Sequence, residues 1–225
     1  KIEILEVKAL VNKILLTLIA VFSVIYIFRI GLEGSDFIML FKLIPMFLII
    51  ILALLTKTPQ AKTYYILISV GLVFCAIGDY TLQWFIIGLI FFLIGHLFYI
   101  AAFLSTNVQQ SPKSLLAGFV LYGAIMAVII AGGLWQDGDV VMAFAVVAYI
   151  SVILTMGWTA WRTKSNYAMI GAILFIISDS VLALNKFTVA IPAASEIIMI
   201  TYYGAQVLLA LSISQYSVNR TKMVQ

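Results

Sequence analysis

FIIGLIFFLIGHLFYIAAFL, residues 85–104, decides the fold. Wound as a helix, this stretch shows apolar side chains on every face, interrupted only by His96 and Tyr99. A helix that is hydrophobic all round belongs to a large buried core or to a membrane. The chain has 225 residues, 64% of them hydrophobic and 10% charged, where a soluble domain carries about 25% charged residues. No soluble fold of this size hides so much apolar surface, so the stretch reads as a transmembrane helix, near the roughly 20 residues that cross about 30 Å of hydrocarbon. Strands of a membrane barrel would alternate apolar and polar residues, and this stretch does not.

Outward from that span, similar runs predict seven more. The expected spans are 13–30, 37–55, 64–83, 84–104, 114–135, 140–161, 167–184 and 196–216. The junction at Gln83-Trp84 is marked by few polar residues. Connections are short, so none can hold a soluble domain, and chemistry must sit within the bundle or at its mouth. The expectation is an all-α polytopic membrane protein, one transmembrane domain over 1–225. The first apolar run is expected to stay as a span rather than be cleaved as a signal peptide. Trp84, Trp135, Trp158 and Trp161 fall at span ends and read as interfacial belt residues.

The net charge of +4 suggests nucleic acid less than it suggests topology. Lys1, Lys8, Lys13, Lys57, Lys62, Lys113, Arg162, Lys164, Arg220 and Lys222 fall on one side of the predicted bundle. Only Arg29 and Lys186 fall on the other, and Lys42 lies inside the second span. The positive-inside rule then puts both termini in the cytoplasm, and no nucleic-acid partner is expected. Cys75 is the single cysteine and lies within a span, and His96 is the single histidine. Neither a disulfide framework nor a metal site of Cys or His ligands can be assembled from them.

Two acids stand out. Gly78-Asp79-Tyr80-Thr81-Leu82 and Ser178-Asp179-Ser180-Val181-Leu182 share the pattern small-Asp-x-x-Leu, each near the end of an apolar run. A charged residue in hydrocarbon costs from roughly 3 to more than 10 kcal/mol, so its presence implies a use. The topology puts Asp79, Asp179, Lys42, Tyr202 and Gln206 in one slab beneath the non-cytoplasmic surface. An ion pair with Lys42 explains one aspartate but not two. Two carboxylates that approach closely cannot both ionise easily, and a protonated acid beside an ionised one suits acid-catalysed hydrolysis. Lys42, three residues before Pro45, reads either as a snorkelling lysine or as a phosphate partner. Gly88 and Gly95 lie two turns apart and suit close helix contact. His96 and Tyr99 on the same span, Tyr202 and Gln206 on the eighth, and Asn185 and Lys186 just after the seventh complete the candidates. The plain alternative for His96 is a buried neutral histidine with ordinary hydrogen bonds.

The succession Lys42-x-x-Pro45, Gly78-Asp79, Gly88 through Gly95-His96-x-x-Tyr99, Ser178-Asp179-Ser180 with Asn185, then Tyr202-Tyr203-x-x-Gln206 resembles the YhhN-like family of lysoplasmalogenases. The resemblance implies an eight-span hydrolase that cleaves the vinyl ether bond of lysoplasmalogens, releasing a fatty aldehyde and glycerophosphocholine or glycerophosphoethanolamine. It implies a lysophospholipid substrate among membrane lipids and no cofactor or metal. A vinyl ether resists nucleophiles and yields to acid, which fits a pair of carboxyl groups, Asp79 and Asp179, with one donating the proton and the other stabilising the cation or activating water. Which one donates stays open, with Ser178 and Ser180 favouring Asp179. Lys42 or Lys186 would hold the phosphate. The alternative is a proton-coupled small-molecule or lipid transporter using the same pair. A zinc-dependent lipid hydrolase needs several histidine ligands, and a purely structural or lipid-sensing role is the remaining reading. A bacterial inner membrane is favoured over endoplasmic reticulum, and oligomeric state is left open.

Overall fold

Within lipid, backbone N–H and C=O groups have no water to bond, so apolar runs of this length resolve into helices. The computed structural model describes residues 2–31, 37–56, 61–106 and 110–224. It contains α1 (Ile2–Ile27), α2 (Ile38–Leu55), α3 (Lys62–Thr81), α4 (Phe85–Leu104), α5 (Lys113–Gln136), α6 (Val140–Arg162), α7 (Asn166–Phe187) and α8 (Ala194–Val224). All eight are long and apolar enough to cross a membrane. The protein is therefore a polytopic bundle of membrane-spanning helices.

The expected spans match these helices closely, with three differences. The first span lies at Ala9–Ile27 rather than 13–30. After Ile27 the chain turns, with Arg29 at a positive φ of 51°, a conformation that ends a helix. α7 runs to Phe187, so Asn185 and Lys186 belong to its last turn rather than to the following loop. The connection near Gln83-Trp84 is a tight turn closed by the Trp84 amide donating to the Thr81 carbonyl at 2.8 Å. Lys1 and Lys57, counted for topology, lie outside the described residues, as do positions 32–36, 58–60 and 107–109 of the connections.

Local chemistry explains the tightest turn. Gly138 sits at φ +83°, and the Asp139 and Gly138 amides donate to the carbonyls of Leu134 at 2.9 Å and Trp135 at 3.2 Å. This is the Schellman arrangement, which asks for glycine in the left-handed position. Asp139 then caps α6 by accepting from the Met142 amide at 3.2 Å. Ser165 does the same for α7 with the Ala168 amide, also at 3.2 Å.

α8 is the hub. It packs against α7, α2, α3 and α1, and its polar groups tie the bundle together. Tyr64 on α3 shares a hydrogen bond with Ser212 at 2.8 Å. The Tyr203 hydroxyl donates to the Lys42 carbonyl at 2.7 Å, and the Ser178 hydroxyl on α7 donates to the Ile198 carbonyl at 3.1 Å. Each such interhelical bond is worth about 0.6 kcal/mol on average in a membrane bundle. α3 and α4 approach closely where small residues face each other. A methyl group added at Gly95 would stand 2.8 Å from the Cys75 sulfur and 3.1 Å from the Gly71 carbonyl oxygen. The spacing of Gly88 and Gly95 thus marks a real helix contact, with Gly88 set against the backbone of Leu82. α5 lies at the edge, packed on α6 and touching α7.

Candidate active site

Three helices converge on Asp79. From α2, the Lys42 ammonium donates to the Asp79 backbone carbonyl at 2.9 Å and stands 3.5 Å from its carboxylate Oδ1. From α8, the Tyr202 hydroxyl donates to Oδ2 at 2.6 Å. Lys42, Asp79 and Tyr202 are all buried. Lys42 therefore neither snorkels to the interface nor offers a free charge to a phosphate: it compensates Asp79. A buried carboxylate needs such a partner, because removal from water costs several kcal/mol per ion.

Asp179 has a different setting. Its carboxylate accepts a very short hydrogen bond from the Tyr149 hydroxyl on α6. It is only partly buried, and it lines a slot between α4, α5, α6 and α7. Asp79 does not border that slot. A chain of aromatic rings links Tyr202, the partner of Asp79, to Tyr149, the partner of Asp179. Phe92 meets Tyr202 edge-on at 5.9 Å between ring centroids and Phe175 at 6.4 Å. Phe175 in turn meets His96 at 4.5 Å, and His96 meets Tyr149 at 5.4 Å.

The serines flanking Asp179 do not hold it. Ser178 bonds to α8 as described, and Ser180 donates to the Ile176 carbonyl at 2.6 Å and pairs with the Tyr122 hydroxyl at 2.7 Å. Neighbouring residues on a helix point about 100° apart, so Ser180 reaches the slot wall but turns its hydroxyl to Tyr122 and Ile176 rather than to Asp179. Tyr149 takes that role, and the sequence gives it no distinguishing mark: it is one of 11 tyrosines, without a repeated motif. Its one signal was a hydroxyl deep in an apolar run.

The remaining candidates fall into place. The Tyr99 hydroxyl donates to Gln206 Oε1 at 2.7 Å, so these two form a buried α4–α8 tie behind the acids. His96 is fully buried, and neither ring nitrogen has a hydrogen-bond partner among the described residues. Asn185 accepts from the Ile191 amide at 2.8 Å and shapes the loop after α7. Lys186 is exposed, with its ammonium 4.3 Å from the centre of the Phe85 ring. Phe85 and Phe187 both line the slot, so Lys186 places a positive charge at its rim.

The slot is apolar apart from Asp179, Ser180, Tyr122 and Tyr149. Phe85, Phe187, Ile130 and Val146 line its outer end, while Ile153, Leu154 and Ile176 lie farther from those helix ends and line its depth. The hollow is narrow, about 50 Å³, room for a few waters, so a lipid chain has to part its walls. One acid with a hydroxyl partner, a greasy interior and a cation at the rim can grip an amphiphile with an anionic head and carry a proton to a bond just inside it.

The description YhhN family matches residues 37–213. Among curated proteins, Lysoplasmalogenase TMEM86A of Homo sapiens is 38% identical, with 64% of this chain and 64% of that protein covered. Lysoplasmalogenase TMEM86B of Sus scrofa is 37% identical, with 64% of this chain and 62% of that protein covered. A Lysoplasmalogenase homolog of Dictyostelium discoideum is 30% identical, covering 68% of this chain and 65% of that protein. The chain thus spans a little under two thirds of the length of these relatives. No solved structure matches.

Proposed function

The chain belongs to the YhhN family, and from that premise we propose that it is a lysoplasmalogenase that protonates the vinyl ether of a lysoplasmalogen from Asp179. The relatives named above carry that activity in their names. The observation that carries the choice of Asp179 is its place in the wall of the slot beside Tyr149. Asp79 is committed to Lys42 and Tyr202 and away from the slot.

The phosphate of the lysolipid would sit by Lys186, and the alkenyl chain would run inward along Ile153, Leu154 and Ile176. The vinyl ether lies next to the glycerol and so near Asp179. In the first step the carboxylic acid of Asp179 gives its proton to the vinyl carbon distal to the ether oxygen. The π electron pair becomes the new C–H bond, and an oxygen lone pair forms the C=O⁺ bond of an oxocarbenium ion. Water adds to the cationic carbon and returns a proton to the Asp179 carboxylate. Asp179 then gives that proton to the glycerol oxygen of the hemiacetal, the C–O bond breaks and the glycerol leaves as an alcohol, the hydroxyl oxygen's lone pair closes the aldehyde C=O, and the hydroxyl proton passes to the Asp179 carboxylate. The Tyr149 hydroxyl steadies the ionised form of Asp179 between these steps. General acid catalysis of this kind supplies about 10² to 10⁴ in rate. Asp79, neutralised by Lys42, would contribute by fixing α2, α3 and α8 behind the aromatic cluster. Lys62, Lys113, Arg162 and Lys164 at the opposite end of the bundle favour the cytoplasm for that end, which would set the slot beneath the other face.

The test is to incubate the purified protein with a lysoplasmalogen and with its saturated ether analogue. Aldehyde is expected from the first alone. Aldehyde release by Asp179→Asn at the parent rate would remove the proposed donor, and no release by the parent protein would remove the activity.

A further inference from the structure

On the opposite side of α6 from the slot, the molecule carries a second recess that the reaction does not use. Between the start of α5 and the end of α6 lies a hollow of about 250 Å³ bordered by Ser111, Lys113, Trp158 and Arg162. It shares Leu116 and Trp158 with a groove of about 380 Å³ that runs up between α5 and α6. The groove floor is built from small side chains, Gly123, Ala124, Ala127 and Ser151. From Leu116 to Ala127 it follows α5 for about 16 Å at 1.5 Å per residue, the scale of an acyl chain segment.

The head of this recess is shaped rather than merely charged. The Trp158 indole N–H donates to the Ser111 hydroxyl at 2.9 Å, which joins α6 to the segment before α5. The Arg162 guanidinium lies over the Trp158 ring, 4.6 Å from its centre, so its planar fork is held at the mouth. Lys113 is exposed on the facing helix. No acidic side chain borders the hollow among the described residues. A basic pocket between transmembrane helices, continuous with an apolar furrow, matches a phospholipid with a net negative head group.

We propose that this recess binds an anionic diacyl phospholipid, with its phosphate between Lys113 and Arg162 and one acyl chain in the α5–α6 groove. The site is separate from the slot but shares a wall with it. Ile150 and Leu154 line both the groove and the slot, and Tyr149, the partner of Asp179, is their neighbour on α6.

The experiment uses the full chain in nanodiscs of phosphatidylcholine containing a minor fraction of phosphatidylglycerol, released into the gas phase for native mass spectrometry. One phosphatidylglycerol is expected to stay bound, retained over phosphatidylcholine by about thirtyfold, as two basic contacts at a bilayer surface predict. The variant Lys113→Gln/Arg162→Gln is expected to lose that preference. Ala124→Phe, which fills the groove and leaves every charge in place, is expected to lose the bound lipid as well. Lys62→Gln/Lys164→Gln removes two exposed basic residues outside the recess and is expected to change nothing. Equal retention of the two lipids, or an equal loss in both double variants, would overturn the site in favour of diffuse attraction to a basic surface. Displacement of the lipid by millimolar inorganic phosphate would overturn the lipid assignment and leave a simple anion pocket. Each variant is compared at matched melting temperature, and Ala124→Phe keeps the test independent of charge.

Discussion

The ammonium of Lys42 reaches Asp79 twice, donating to its backbone carbonyl at 2.9 Å and facing its carboxylate at 3.5 Å. This bond joins α2 to α3 in the region where Pro45 removes an amide donor from α2. Breaking a buried pair on one side strands the other charge, at a cost of about 3–5 kcal/mol. Lys42→Met is therefore expected to destabilise the protein strongly, and Lys42→Met/Asp79→Asn to recover part of the loss. A double-mutant cycle on unfolding in detergent measures the coupling, and additive losses would show that the pair is not coupled.

Asp179 and Tyr149 make a different pair, and their substitution should be read in rate. Asp179→Asn keeps the size of the side chain and removes the proton donor, so kcat should fall by about 10² or more while the melting temperature holds. Tyr149→Phe should fall less, by about tenfold, the loss of one hydrogen bond to a charged group. Aldehyde release from a lysoplasmalogen measures both.

The depth of the slot sets the chain that fits. Ile153 and Leu154 are buried and line its inner part. Ile153→Trp adds bulk where the end of a long alkenyl chain would lie. The ratio of kcat/KM for long over short chains should drop, and an unchanged ratio would place the chain elsewhere.

Lys186 stands at the rim on the Phe85 face. Because it is exposed, Lys186→Gln should leave stability unchanged and raise KM a few-fold, with kcat preserved, as expected for a contact that holds the head group equally in ground and transition states. The effect should fade in high salt.

Helix contact offers a test independent of catalysis. A methyl group added at Gly71 would fall 2.4 Å from a ring carbon of Tyr99, whereas one at Gly118 meets nothing within 4 Å. Gly71→Ala should destabilise by about 1–3 kcal/mol through overpacking, and Gly118→Ala should be neutral or mildly stabilising. Thermal unfolding of the two variants side by side checks the α3–α4 packing.

The spans were legible because hydropathy alone sets them, and α4 ended at its expected limit, Leu104, and began at Phe85, one residue inside the expected start. Lys42, Asp79 and Tyr202 were legible for the same reason: polar groups in an apolar run are conspicuous, and alternating spans put these at one depth. What depth does not encode is azimuth. Asp79 and Asp179 share a level, yet they turn to different neighbours, one to Lys42 and the other to Tyr149. Ser178 and Ser180 were read as holding Asp179 because they adjoin it in sequence, and the helical twist turns their hydroxyls to other partners. Gly71 escaped notice because its role appears only when Tyr99 lies across it.

The slot has one oily end at Ile153 and one wet, cationic end at Lys186. On the proposed reaction the two products differ in where they dissolve: the aldehyde belongs with the acyl tails, and the glycerophospho-alcohol belongs in water. Each can depart by its own exit, sideways into the leaflet or straight out past Lys186. Dilution into two separate phases then keeps them from recombining, and the cleavage runs one way without any coupled fuel.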